Sequence, residues 1–286
     1  MRDDPKHRRV YLLANPDKSA AASALDDLKL FADARCEVVG VTSGLEGRNA
    51  LAQQPDRIVV LGGDGTLIGV ARSLKSDQVP LIGVNVGKLG FLTEFSIDEF
   101  KNAFDRAIAD DELIDRRMAL EVTISRNDVL VGDYVAINDC VIQAGPPFRI
   151  IELGLHVNGE RLTDVGGDGL ILCTPGGSTG HSLSAGGPIM QPGVDAIIMT
   201  PLNPHSLTHK PLVIECDASV SIQAIHVNEG TTLIVDGQVS CPLRRGDCVT
   251  VARFAADCLI VRNPDHGAWH NLITKLHWGR APNLSA

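Results

Sequence analysis

Over the first hundred residues the apolar positions fall into short continuous runs that alternate with segments of helical spacing. RRVYLLANP (8–16) is an apolar run closed by Asn-Pro, which reads as a buried strand stopped by a turn. SALDDLKLFADA (23–34) then places Leu25, Leu28 and Phe31 on one helical face. CEVVGVT and DRIVVLGG follow as β-branched runs, TLIGVARSL spaces Leu67, Val70, Ala71 and Leu74 as a helix, and VPLIGVNVG reads as strand again. Strands alternating with helices predict an α/β N-terminal domain with a parallel sheet covered on both faces.

Past the helix-like SIDEFKNAFDRAIADDEL (96–113) the runs shorten and turn dipeptides separate them. LGLHV-NG-ERLT and TLIV-DG-QVS put Asn-Gly and Asp-Gly where two-residue hairpins need positive φ. A mostly antiparallel β C-terminal domain is predicted. The closing HGAWHNLITKLHWGR spaces Trp269, Leu272, Ile273 and Leu276 as a helix. The predicted organisation is an α/β domain over 1–104, a β-rich domain over 105–265, and a C-terminal helix in 266–286 that returns to the first domain.

The string GGDG occurs twice, at 62–65 and 166–169, in different settings. The first lies between a strand and a helix, and the second enters the apolar run GLILCTP. A duplicated half would carry its flanks along, so two separate jobs are expected. At the first, Gly62, Gly63 and Gly65 would let backbone N–H groups approach a phosphate beside a helix N-terminus. Asp64 could take a proton from a hydroxyl, help hold a metal ion, or simply cap the helix.

Two further stretches carry candidate chemistry. TPGGSTGHSLSAGGPIM (174–190) alternates Gly176, Gly177, Gly180, Gly186 and Gly187 with Ser178, Thr179, Ser182 and Ser184, a backbone lined with small hydroxyls suited to a polar ligand. AINDCVI (136–142) sets Asn138 and Asp139 inside an apolar run, where they need partners. Asn offers the donor and acceptor an adenine edge requires, and Asp accepts from ribose hydroxyls. A β-bulge or turn is the plainer reading of that pair.

Composition narrows the classes. With 286 residues, 44% hydrophobic and 21% charged, the chain can bury a sizeable core in two domains. A formal net charge of −9 argues against general binding to nucleic acid or anionic membrane. Seven cysteines without a CxxC pair suit free thiols in a reducing compartment, and no run of about 18 uncharged apolar residues occurs. A soluble cytoplasmic protein is expected. Cys140 and Cys173, inside apolar runs, read as small packed hydrophobes. His205 and His209 lack a third ligand or an HExxH pattern, which argues against a metal site. Lys88 and Lys210 could neutralise phosphate or simply be solvated.

Together ANPDK, GGDGTL, GVNVGKLGFLTEF, IND, GDGLILCTPGGSTGHSLSAGGPI, TPLNPHSLTHKPLVI, VDGQ and KLHWG, in that order over most of the chain, resemble the NAD kinase family. Those kinases use ATP or polyphosphate to phosphorylate the 2′-hydroxyl of the adenosine ribose of NAD. The resemblance implies that Asp64 is the catalytic base, with Gly62, Gly63 and Gly65 near the donor phosphates and Phe91 bordering the dinucleotide. It implies that Asn138 and Asp139 hold adenine and ribose, that Asp168 lies near the nicotinamide end, and that Thr179 and Ser184 contact substrate. The two GGDG strings would then serve opposite ends of one dinucleotide. Mg²⁺ or another divalent cation, and a homodimer or homotetramer joined through the β domains, are also implied.

This chain departs from the family's TP(T/S)GSTAYSLSAGGP at three substrate-site positions, with Gly176 for the hydroxyl residue, Gly180 for alanine and His181 for tyrosine. Loss of the hydroxyl at 176 removes one possible hydrogen bond, worth about 0.5–1.5 kcal/mol, or roughly up to tenfold in affinity. The alternatives are a lipid kinase of the diacylglycerol or sphingosine type, which would want an apolar acyl channel, and a non-catalytic NAD(P)-binding sensor, against which Asp64 counts. A dehydrogenase is poorly supported, because no GxGxxG follows the first strand.

Overall fold

In the computed structural model, residues 4–44, 46–87, 90–267 and 269–279 are described. The chain runs through strand β1 (Arg9–Ala14), helix α1 (Ser19–Asp33), β2 (Glu37–Ser43), α2 (Arg48–Leu51), β3 (Arg57–Gly62), α3 (Asp64–Leu74), β4 (Leu81–Asn85), β5 (Phe95–Ser96), α4 (Ile97–Ala109) and β6 (Ile114–Arg117). It continues through β7 (Leu120–Arg126), β8 (Val129–Ala136), β9 (Asp139–Gln143), β10 (Ile151–Val157), β11 (Glu160–Gly167), β12 (Gly169–Cys173), α5 (His181–Ser184), β13 (Ala196–Leu202) and β14 (Leu212–Glu215). The last elements are β15 (Val220–His226), β16 (Thr232–Val235), β17 (Val239–Pro242), β18 (Cys248–Arg253), β19 (Cys258–Val261) and α6 (His270–Lys275).

Two compact units result, one of residues 1–70, 79–115 and 260–286, the other of 71–78 and 116–259. In the first, the sheet order is β2-β1-β3-β4-β19-β6, with β5 beside β4. The pairs β1–β2, β1–β3, β3–β4, β4–β5 and β4–β19 are parallel. Every residue of β3 and of β4 is buried, so their apolar runs are covered on both faces, as the unbroken hydrophobicity predicts. Leu67, Val70, Ala71 and Leu74 of α3 are all buried. Helix α4 begins with a capping box: the Ser96 hydroxyl accepts from the Glu99 N–H at 3.2 Å, and Glu99 accepts from the Ser96 N–H at 2.7 Å.

The second unit is an antiparallel sandwich of two six-stranded sheets, ordered β11-β10-β15-β18-β7-β8 and β14-β13-β12-β9-β16-β17. Its core joins Val122, Leu153, Ile222 and Val249 of one sheet to Ile142, Leu172, Ile197 and Leu233 of the other. Strands β9, β12 and β13 are buried on their second face too, where Val141, Ile171, Cys173 and Ile198 pack with Ala185 and Met190. Both predicted hairpins form, with Asn158 and Gly159 at φ 52° and 80° and Asp236 and Gly237 at 49° and 66°.

The C-terminal helix is shorter than its apolar spacing predicts. It spans only His270–Lys275, buries none of its residues, and leaves Trp269, Ile273 and Trp278 more than half exposed. A helix of under two turns cannot present a complete apolar stripe to a neighbour. No helix among the described residues is long and apolar enough to cross a membrane.

Candidate functional site

In the first unit, β3 delivers the chain into the 62–65 turn and α3 starts at Asp64. Gly62 has no room for a side chain, since a Cβ there would stand 2.5 Å from the Thr66 Oγ1, which accepts from Asn15 Nδ2 at 2.9 Å. The Asp64 carboxylate does not cap its own helix. Its Oδ1 accepts from the N–H groups of Leu92 (3.1 Å) and Thr93 (2.9 Å) and from the Thr93 hydroxyl (2.9 Å), while Oδ2 accepts from the Phe91 N–H at 2.6 Å. A Cβ at Gly90 would collide with this carboxylate, so glycine there lets the loop close over it. With about two lone pairs per oxygen, Oδ1 is filled and Oδ2 retains an open position.

Phe91 is half-buried, and its carbonyl accepts from Asn271 Nδ2 at 3.2 Å. The glycines, Asp64 and Phe91 are thus gathered in one turn-and-loop unit. Lys88 lies outside the described residues.

In the second unit, the chain leaves β8 of one sheet and enters β9 of the other at Ile137–Asn138. The fully buried Asp236 side chain sets this crossing. It accepts from the N–H groups of Ile137 at 3.1 Å, Asn138 at 2.8 Å and Asp139 at 3.2 Å, and Arg72 Nη1 reaches it at 3.3 Å. Sequence reasoning read Asp236 only as a turn residue in VDGQ, because a turn Asp has an ordinary explanation and its three N–H partners lie about a hundred positions away. Arg72 was missed for the same reason.

Asn138 Oδ1 is buried with no hydrogen-bond partner. Asp139 is only 8% exposed. Burial, and secondarily the Asp236 charge, push its carboxyl up to about 6. Burial likewise raises Asp236, opposed by the three N–H groups and Arg72.

A carboxyl near 3.9 unfolded and about 6 folded contributes stability that is full below pH 4, is lost as pH rises to about 6, and does not change further above it. Asp139→Asn is therefore expected to gain on the wild type by up to about 3 kcal/mol between pH 4 and 7, as read by urea unfolding at each pH. A pH-independent difference would contradict the assignment.

The glycine-serine block is folded, as a 3₁₀ turn (Gly176–Thr179) followed by α5. Its hydroxyls divide into two sets. Ser178 donates to the Pro175 carbonyl at 2.6 Å and accepts from the Met190 N–H at 3.0 Å, and Ser182 pairs with Thr200 at 2.8 Å, both buried. These two, which the sequence reading set among ligand-lining hydroxyls, hold the block together instead. Thr179 is half-buried, and Gly180, His181 and Ser184 are exposed.

Thr174 ties the block to the crossing strand by donating to the Ile137 carbonyl at 2.9 Å and accepting from the Gly177 N–H at 3.1 Å. A Cβ at Gly177 would run into the backbone of Asn138, whereas one at Gly176 would sit 3.6 Å from Thr174 Oγ1, in ordinary contact. Gly177→Ala is expected to destabilise by about 1–3 kcal/mol through overpacking, while Gly176→Ser changes stability by less than about 0.5 kcal/mol. Thermal unfolding of the two variants side by side checks the contrast.

The second GGDG does a different job from the first. Asp168 is where the chain passes from β11 in one sheet to β12 in the other. A Cβ at Gly167 would stand 2.7 Å from the Leu202 carbonyl and one at Gly169 would overlap the Ile142 carbonyl, so close backbone approach requires both glycines. Asp168 is exposed and accepts from Asn203 Nδ2 at 2.7 Å. In the β9–β12 ladder, Asp139 faces Cys173 and Gln143 faces Gly169. Asp168 therefore lies at the far end from Asn138 and Asp139, at least four residues or about 13 Å along the strands, and the fold does not bring it beside them.

Among the described residues no three His, Cys, Asp or Glu side chains gather as a metal cage.

The ATP-NAD kinase N-terminal domain model matches residues 26–112, and the ATP-NAD kinase C-terminal domain model matches 137–262. The chain is 43% identical to the NAD kinase of Trichlorobacter lovleyi over 84% of its length and 85% of that protein's. It is 35% identical to the NAD kinase of Rhodopirellula baltica over 94% and 86%. Its fold superposes on yeast NADH kinase complexed with NADH with a TM-score of 0.80 at 25% identity, covering 98% of this chain and 91% of that one. An NAD kinase from Archaeoglobus fulgidus in complex with ATP gives 0.75 at 26% identity, with 94% and 98% covered. The two matched domains, in the order and with the folds the sequence implies, place this chain in the NAD kinase family.

Proposed function

We infer that the chain transfers the terminal phosphate of ATP to NAD, at the 2′-hydroxyl of the adenosine ribose, giving NADP. The observation that carries the site assignment is the Asp64 carboxylate, held by four hydrogen bonds at a glycine turn with one position open on Oδ2. In this reading the 2′-hydroxyl donates to Oδ2, its oxygen bonds to the γ-phosphorus, its proton passes to Asp64, and the bond from that phosphorus to ADP breaks. Phosphoryl transfer asks the protein mainly for position and charge stabilisation.

Gly62, Gly63 and Gly65 then approach the donor phosphates, and Phe91 borders the dinucleotide. Asn138 offers its unpaired Oδ1 to adenine, and Asp139 accepts from ribose. Thr179, Ser184, Gly176, Gly180 and His181 face the rest of the substrate, with Asp168 serving the nicotinamide end. Mg²⁺ enters with the triphosphate, since it is commonly held by one or two carboxylates plus substrate phosphates.

Polyphosphate is an alternative donor. Val129, Leu130 and Val131, consecutive and exposed on edge strand β8, support assembly into a homodimer or homotetramer through the β units. Seven unpaired cysteines support a reducing, cytoplasmic setting.

The test is a coupled assay for NADP with NAD or NADH, ATP or polyphosphate, and Mg²⁺. Turnover that stops with EDTA is expected. Measurable NAD binding with no product from any donor would turn the reading to a non-catalytic sensor.

A further inference from the structure

Lys275, on α6, occupies an unusual position for a lysine. Its side chain is partly buried, and among the described residues its ammonium makes no hydrogen bond or ion pair, lying 5.2 Å from the centre of the Phe91 ring. One turn back on the same helix, Asn271 holds the Phe91 carbonyl, and the Phe91 N–H holds Asp64 Oδ2. The ammonium therefore lies beside the loop that holds the Asp64 carboxylate. Burial pushes it below the ordinary lysine range, against the pull of Asp64 and Glu94. A second ammonium stands at the glycine turn itself: Lys18 is exposed, its Nζ is 3.2 Å from where a Cβ on Gly63 would be, and it has no hydrogen-bond or ion-pair partner among the described residues.

A half-desolvated cation without an anion is costly, and the cost is recovered when an anion arrives. The anion that the glycine turn is shaped to receive is a phosphate.

We propose that Lys275 binds a phosphate oxygen of the donor triphosphate and neutralises charge on the transferring group, with Lys18 as a second cation at the Gly63 end of the turn. The proposal rests on the reading of 62–65 as the donor site, and it assigns to two residues outside the glycine turn the charge stabilisation that backbone N–H groups alone would leave incomplete. Lys275 would be a substrate-contacting residue for the donor and not for the dinucleotide.

Lys275→Met keeps the aliphatic stem on Phe91 and removes the charge. Its KM for MgATP is expected to rise, or its kcat to fall, by about 10- to 100-fold, the worth of one charge-assisted hydrogen bond. The NAD Kd from calorimetry should stay at the wild-type value, and Lys275→Arg should recover part of the loss. Lys18→Met should show a smaller loss of the same kind. Unchanged MgATP kinetics in Lys275→Met overturn the proposal, as does an equal weakening of NAD binding, the mark of a structural role. Wild type that forms no NADP would sink the activity reading itself, a different result from an active wild type with an unaffected variant.

A second measurement needs no variant. Reductive methylation of the wild type, read by peptide mass spectrometry, should label Lys275 less when a non-hydrolysable ATP analogue is bound and equally when only NAD is bound. Equal labelling with and without the analogue overturns the assignment.

Discussion

Asp64→Asn is expected to lower kcat for NADP formation by about 10²–10⁴-fold, the usual contribution of a general base. Its geometry predicts a second effect that the sequence did not suggest. Both carboxylate oxygens accept, and Oδ2 faces the Phe91 N–H at 2.6 Å. Whichever way an asparagine amide is turned, its NH₂ replaces one acceptor and meets an N–H donor, either that of Phe91 or those of Leu92 and Thr93. An unmet donor costs about 1–3 kcal/mol, so the variant should also melt at a lower temperature. Steady-state kinetics with thermal unfolding on the same preparation separate the two effects. Wild-type kcat would remove Asp64 from the chemistry, and a wild-type melting temperature would contradict its role in holding the 91–93 loop.

The largest stability effect should come from Asp236→Ala. Truncation leaves Arg72 and the N–H groups of Ile137, Asn138 and Asp139 without the fully buried carboxylate they share. Removing one partner of a buried ion pair costs about 3–5 kcal/mol, which at a urea slope of roughly 1–3 kcal/mol per molar moves the midpoint by one molar or more. The Asn138 crossing is then no longer held, and NAD affinity should fall by at least about tenfold, the equivalent of one charge-assisted hydrogen bond. Urea unfolding and calorimetric titration with NAD measure the two consequences. A loss under about 1 kcal/mol with unchanged NAD binding would show that the crossing is fixed by its strands alone.

The contrast between the two GGDG strings shows how far a local reading reaches. The flanks of each predict a separate job, and the structure gives Gly62, Gly167 and Gly169 distinct steric causes. Gly62 makes room for Thr66 within the same turn, a neighbour close enough in sequence to be anticipated. Gly167 and Gly169 make room for the carbonyls of Leu202 and Ile142, which nothing within ten residues could have indicated. At the C-terminal segment, apolar spacing at 269–276 predicts a helix, and one forms over His270–Lys275; it buries none of its residues, and its contacts with Phe91 of the first unit come from Asn271 and Lys275, outside the apolar spacing.

By itself the sequence determined what depends on neighbours along the chain. Continuous apolar runs specified buried parallel strands, Asn-Gly and Asp-Gly specified hairpins, and glycine-rich motifs in a fixed order identified the family. The tertiary structure alone decided which polar groups hold the fold and which remain open for a ligand. Ser178 and Ser182 turn inward while Thr179 keeps access, Asp236 organises a strand crossing about a hundred residues away, and Asp168 stands at the far end of a ladder from Asn138. The reason is that a side chain's hydrogen-bonding capacity is local, but the partners that use it up are brought in by packing between distant strands.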